Sequence, residues 1–173
     1  MHNDIVGLHT SITVGLLAIG FMAIVVGQSD HRPAPRFSEL SRDDSARLDR
    51  QRAVVATAAK RQSGATHLTR TKSDLPILQK LIDENIFNKS QTYELQCLGV
   101  AFGDVLASEL PLRWVMVTDE FGTDPTLEFR ETSMRVNALT MLSKRVEKDE
   151  PVNLQWLIDK TREQLAVDPK KHL

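Results

Sequence analysis

Cysteine is nearly missing from this chain: among 173 residues only Cys97 occurs, so no intrachain disulfide can form and stability must come from a packed core. Aromatic residues reach only 5%, and glycine and proline number 8 and 7, which excludes collagen-like and low-complexity chains. Neither sign of charge dominates, with 22 basic and 23 acidic residues, so bulk charge indicates neither nucleic acid nor an anionic surface as partner. The histidines His2, His9, His31, His67 and His172 include no pair at i, i+4, which leaves no zinc pattern. Gly-x-Ser-x-Gly, the phosphate-binding loop and the dinucleotide fingerprint are also missing. The sequence therefore nominates no catalytic residue, cofactor or metal ligand.

What is present is segregated. From Ile5 to Ser29 there is no Asp, Glu, Lys or Arg, while every basic residue follows. Residues 5–27 would extend about 35 Å as a helix, enough to cross a ~30 Å hydrocarbon core and contact the lipid bilayer. The shorter run Ile12–Gly27 also suits a signal peptide, with Val25 and Gly27 as a small-residue cleavage site before Gln28. Met1–Asp4 holds no Lys or Arg, and this missing basic start favours an uncleaved anchor over residues 1–29. Arg32, Arg36, Arg42 and Arg47 all follow the segment, so the positive-inside bias places the body in the cytoplasm, with export to the periplasm as the alternative. Within the span, Ala23 and Gly27 have small-xxx-small spacing.

Residues 30–37, containing His31-Arg-Pro-Ala-Pro-Arg36, read as a stiff Pro/Arg linker, and residues 38–173 as the folded domain. Ser41 with Asp44 three residues on marks a helix start, Arg42–Gln62 has no Gly or Pro, and Gly64 ends it. Its apolar positions form one narrow stripe on an otherwise solvated helix. Ser73-Asp-Leu-Pro76 opens a second helix stopping near Asn85. Ser90 should cap a third over Gln91–Glu109, where Leu95, Leu98, Phe102 and Val105 recur at helical spacing before Pro111. Arg113–Thr118 then reads as an interior strand, Asp119–Pro125 as a turn-rich loop, Thr126–Arg130 as the second arm of a hairpin, and Ser133–Val136 as a short third strand. Helical spacing returns through Leu139, Leu142 and Val146, and after Pro151 a last helix spans Leu154–Val167. The expected class is α+β: helices on a small antiparallel sheet of about three strands.

Some residues stand out. Gly99 and Gly103 lie four apart on the third helix, each costing about 1 kcal/mol relative to Ala, which suits close packing on the sheet. Glu94 and Asp104 are about 80° apart around that helix and do not converge on one atom. Asp119, Glu120 and Asp124 gather near the hairpin turn without the calcium-loop pattern, and with Trp114 they are the candidates for docking a basic patch on a partner. Cys97, among Leu95, Leu98 and Phe102, reads as a buried small apolar residue. Trp114 and Trp156 could each anchor an interface, but both lie on elements expected to pack, which favours the core.

Three runs carry a resemblance: Tyr93-Glu-Leu-Gln-Cys-Leu-Gly-Val-Ala-Phe-Gly-Asp104, Trp114-Val-Met-Val-Thr-Asp-Glu-Phe-Gly122 and Leu139-Thr-Met-Leu-Ser-Lys-Arg-Val-Glu147. Over roughly residues 68–152 the chain resembles the bacterial domain of unknown function 3806 family. The resemblance implies a fold and no reaction. Asn137-Ala138 stands where the family has an apolar residue and proline, and the apolar N-terminal segment lies outside its domain. The expectation is a protein-binding module tethered to a bacterial inner membrane, of inhibitory or immunity type, acting on a protein partner the sequence does not identify. The alternatives are an accessory structural subunit of a membrane complex and a hydrolase using the acidic loop with Glu94 or Asp104.

Overall fold

The computed structural model describes residues 34–64, 67–130, 132 and 134–166. The anchor, the arginine at position 32, Ser133 and Val167 lie outside them. Among the described residues no helix is long and apolar enough to cross a membrane.

The first element is a strand, β1 (Arg36–Ser38), followed by α1 (Arg42–Ser63). Ser41 Oγ accepts from the Asp44 backbone N–H at 3.1 Å while the Asp44 carboxylate accepts from the Ser41 N–H, so the expected helix start is a closed capping box. Gly64 ends α1 at φ 72°, a left-handed turn that glycine adopts without strain. A single 3₁₀ turn, Lys72–Asp74, leads into α2 (Leu75–Asp83), with Pro76 in the first turn where no N–H is needed. The third helix, α3, runs Thr92–Glu109. Ser90 does not cap it: the Ser90 N–H and hydroxyl both donate to Asn88 Oδ1, a local turn that satisfies Ser90 before the helix begins, and Gln91 holds the cap position.

The strands β2 (Leu112–Asp119), β3 (Gly122–Phe129) and β4 (Arg135–Val136) join β1 in an antiparallel sheet ordered β1-β2-β3-β4. β2 is interior, as its two apolar faces predict. Two expectations need correction. The sheet has four strands rather than about three, because Arg36 and Phe37, read as linker, pair with Thr118 and Val117. The segment Asp119–Pro125 is not a loop: the turn is Glu120-Phe121 alone, and Asp124 and Pro125 lie in β3 opposite Val117 and Met116. Counting pairs from the Asp119–Gly122 closure, Pro125 falls at a non-hydrogen-bonded position, so its missing N–H faces away from β2. β4 reaches only Leu127 and Glu128, leaving that side of Pro125 unpaired.

The sheet face bearing Leu112, Leu127 and Phe129 joins the main core with Leu98, Phe102 and Leu106 of α3 and Val55 of α1. Arg113, on β2, clasps the sheet by pairing with Glu39 just after β1 and with Glu128 of β3 at 2.8 Å. The helical pattern after β4 breaks into α4 (Ala138–Met141) and α5 (Ser143–Glu147), and the chain closes with α6 (Leu154–Ala166). Gln79 of α2 fixes the start of α6, accepting from the Leu154 N–H and donating to the Val152 carbonyl, each at 2.9 Å.

Gly99 and Gly103 serve close packing, but against more than the sheet. A Cβ on Gly99 would lie 2.5 Å from the Ala138 carbonyl oxygen and 2.6 Å from that of Leu139, so its neighbour is the backbone of α4. One on Gly103 would meet the Trp114 ring, with Cη2 at 2.9 Å, and the Ala138 methyl at 3.0 Å. Ala138, fully buried, thus fills the space between the two glycines.

Candidate functional site

The hairpin candidates separate once folded. Asp119 pairs with Arg135 at 3.2 Å and accepts from the Phe121 N–H, while Asp124 faces Arg47 of α1 at 3.9 Å. Asp119 and Asp124 line one hollow of about 320 Å³ together with Arg135 and Lys144, so the acids there face cations of the same chain. Glu120 lies in the turn beside Phe121, which is 85% exposed. Trp114 is half-buried and points elsewhere.

Its indole N–H donates to Asp104 Oδ1 at 2.9 Å. Asp104 is buried on α3 and also takes a two-pronged contact from Arg52 of α1: Nε to Oδ2 and Nη2 to Oδ1, both 2.7 Å. Arg52 donates its remaining arm to Asp49 at 3.0 Å, and Asp49 is shared with Arg70 at 3.2 Å. Burial disfavours the Arg52 charge, yet the hydrogen bonds and attraction from Asp104 and Asp49 outweigh it, and the guanidinium stays above its ordinary value. Asp49, Arg52, Arg70 and Asp104 line a cleft of about 290 Å³ with His67. Its floor loop is held by Asp74, which accepts from the Thr69 and Arg70 N–H groups at 2.9 and 2.7 Å. Arg52 and Asp104 direct these hydrogen bonds to each other, to Asp49 and to the Trp114 indole. The arrangement clamps α1 to α3 and β2.

Around α1, two residues at about 100° each place Arg50 about 160° from Arg52, on a different flank. There α1 lines a groove of about 680 Å³, with Arg50, Val54, Ala58 and Arg61 on one wall and Ile86 and Phe87 from the α2–α3 connection on the other. None of the described residues lining it is acidic. Arg50 and Arg61 make no hydrogen bond or ion pair among the described residues. At the Arg50 end stands Tyr93, 53% exposed, whose phenol is raised by the neighbouring Cys97 and by burial while the Arg50 charge pulls it back. Cys97 itself is fully buried and its thiol is pushed up to about 11 by burial, so it remains protonated at neutral pH.

Sequence reasoning did not single out Arg52 or the Arg50–Arg61 pair. The second had a readable signal, two arginines eleven apart on a Gly- and Pro-free helix; the first had none, since its partner is 52 residues away. Trp156, expected in the core, is 52% exposed. It lies in the first turn of α6, where its N–H is taken by Asn153 Oδ1 and the inward positions are filled by Leu154, Leu157 and Ile158.

Residues 74–158 match the model of a family described as domain of unknown function (DUF3806), so the resemblance read from the three sequence runs holds over this stretch. No curated protein matches the chain. A crystal structure from Bacteroides thetaiotaomicron VPI-5482 is similar in fold, with a TM-score of 0.69 and 14% identity, over 79% of this chain and 50% of that one. The chain thus spans half the length of that structure.

Proposed function

We propose that this chain is a protein-binding module, tethered to a bacterial inner membrane by residues 5–27 with its body in the cytoplasm, and that the groove beside α1 receives the partner. One observation carries the reading: the groove combines the apolar side chains of Val54, Ala58, Ile86 and Phe87 with two arginines that have no partner among the described residues. Cations elsewhere near α1, at positions 47, 52 and 70, face carboxylates of the chain itself. Arginine beside an apolar centre is among the residue types that dominate binding energy at protein interfaces. The acids at the hairpin, two of which face internal cations, are less available for docking than the sequence suggests. The test is a photo-crosslinking residue placed at Thr57 in the full chain, compared with one at Lys160 on α6. A discrete protein adduct from Thr57, absent from Lys160 and weakened by adding Arg61→Glu, is expected; equal adducts from both sites, or none from Thr57, overturn the reading.

A further inference from the structure

Resting on that reading, we infer that the occupant of the groove is an α-helix of a partner protein, apolar on one face and carrying two acidic residues about three turns apart. The spacing comes from α1 itself. Arg50 and Arg61 are eleven residues apart, which sets them about 16 Å apart along the axis and about 20° apart around it, on one line. Between them α1 presents Ala53, Val54, Thr57 and Ala58. Such short side chains let a second helix approach at the 8–10 Å interaxial distance of ordinary helix packing. Facing them, Ile86 and Phe87 are half-buried, leaving apolar surface for the same occupant. Charge selects the partner: the lining carries two cations and no acid, so an acidic helix is attracted and a basic one repelled. An anionic bilayer fits worse, because surface binding to lipid relies on clusters of about four to eight cations on an accessible face, and this wall is concave with two.

The probe is a synthetic, conformationally stapled helix of fifteen residues with Glu at positions 2 and 13 flanking a Leu/Ala face. It is titrated against the full chain in nanodiscs of zwitterionic lipid. One control peptide carries Lys at both positions, another carries the two Glu residues five apart, and a third is an unstapled extended segment of the same composition. The first peptide should bind at least tenfold more tightly than each control. In the double variant Arg50→Glu/Arg61→Glu its affinity should fall at least tenfold and that of the Lys peptide should rise. No binding of the first peptide, equal binding of any control, or an affinity unmoved by the double variant overturns the inference. So does loss of peptide binding when the nanodiscs contain anionic lipid, since lipid then competes for the groove. If Thr57 crosslinks to a protein while the peptide does not bind, the docking groove stands and the acidic helix falls.

Discussion

Arg50 and Arg52 stand two residues apart in sequence and in opposite electrostatic situations. Arg52 is held by Asp104, which also receives the Trp114 indole, and Asp49 takes the rest of its guanidinium. Arg50, with Arg61 three turns on, borders an apolar groove with no carboxylate in its lining. The contrast separates two uses of the same residue type. A paired, partly buried arginine joins elements of the fold, while an unpaired one beside apolar surface is suited to a second molecule. The largest expected effect tests the first half of this contrast. Asp104→Ala removes the acceptor of both Arg52 and Trp114 and leaves the partly buried guanidinium with Asp49 alone, which should destabilise the fold by about 2–4 kcal/mol. Urea unfolding checks it, and a double-mutant cycle with Arg52→Met should show strong coupling; additive effects would mean that the pair is not a clamp.

Next in size is Gly103→Ala. The added methyl group meets the Trp114 ring, which the Asp104 hydrogen bond holds in place, so the indole must move and that bond must lengthen. Overpacking costs about 1–3 kcal/mol, offset by about 1 kcal/mol of helix propensity, giving a net loss of about 0–2 kcal/mol. The checking measurement is thermal unfolding followed by tryptophan fluorescence. An unchanged spectrum together with increased stability would show that the indole is not confined.

The contrast also explains what could be read from the sequence. Local signals were legible: the Ser41–Asp44 box, the Gly64 stop, Pro76 in a first turn and the apolar period of α3 all act within a few residues. The four-residue spacing of Gly99 and Gly103 announced close packing, but the surface they pack on, the backbone of α4 and the Trp114 ring, is set by tertiary folding. β1 was hidden because a three-residue edge strand containing Phe37 has too few positions to show alternation. The hairpin turn was obscured by Pro125, which ordinarily marks a loop and here uses the unpaired side of β3. Arg52 carried no pattern at all, as an ion pair across 52 residues leaves no spacing to read.

A smaller effect touches both flanks of α1 equally. Ser41→Ala opens the capping box and should cost about 1 kcal/mol, weakening clamp and groove wall together. Its pH dependence has a defined sign. The Ser41 hydrogen bonds hold the Asp44 carboxyl below its ordinary value of 3.8. The unfolded state therefore binds the proton more readily, and the contribution is complete above the unfolded value and lost as pH falls through the lower folded one. Urea midpoints measured down through this acid range should drop less steeply for Ser41→Ala than for the unsubstituted chain. Parallel curves would show that the box does not hold the Asp44 charge.

The smallest effect on the fold is expected at the groove, and there the small size is itself informative. Arg50 and Arg61 are exposed and satisfy no buried acceptor among the described residues, so Arg50→Gln and Arg61→Gln should shift unfolding free energy by less than about 0.5 kcal/mol. Arg52→Gln, on the same helix, should cost several times more, because a neutral amide cannot meet both Asp104 oxygens as the guanidinium does. Calorimetry on the three variants checks the ordering. If Arg50→Gln or Arg61→Gln is as costly as Arg52→Gln, the groove arginines are structural and the distinction between the two flanks disappears. If those two changes leave the fold untouched, loss of an adduct in the crosslinking experiment can be assigned to the surface they present rather than to a weakened helix.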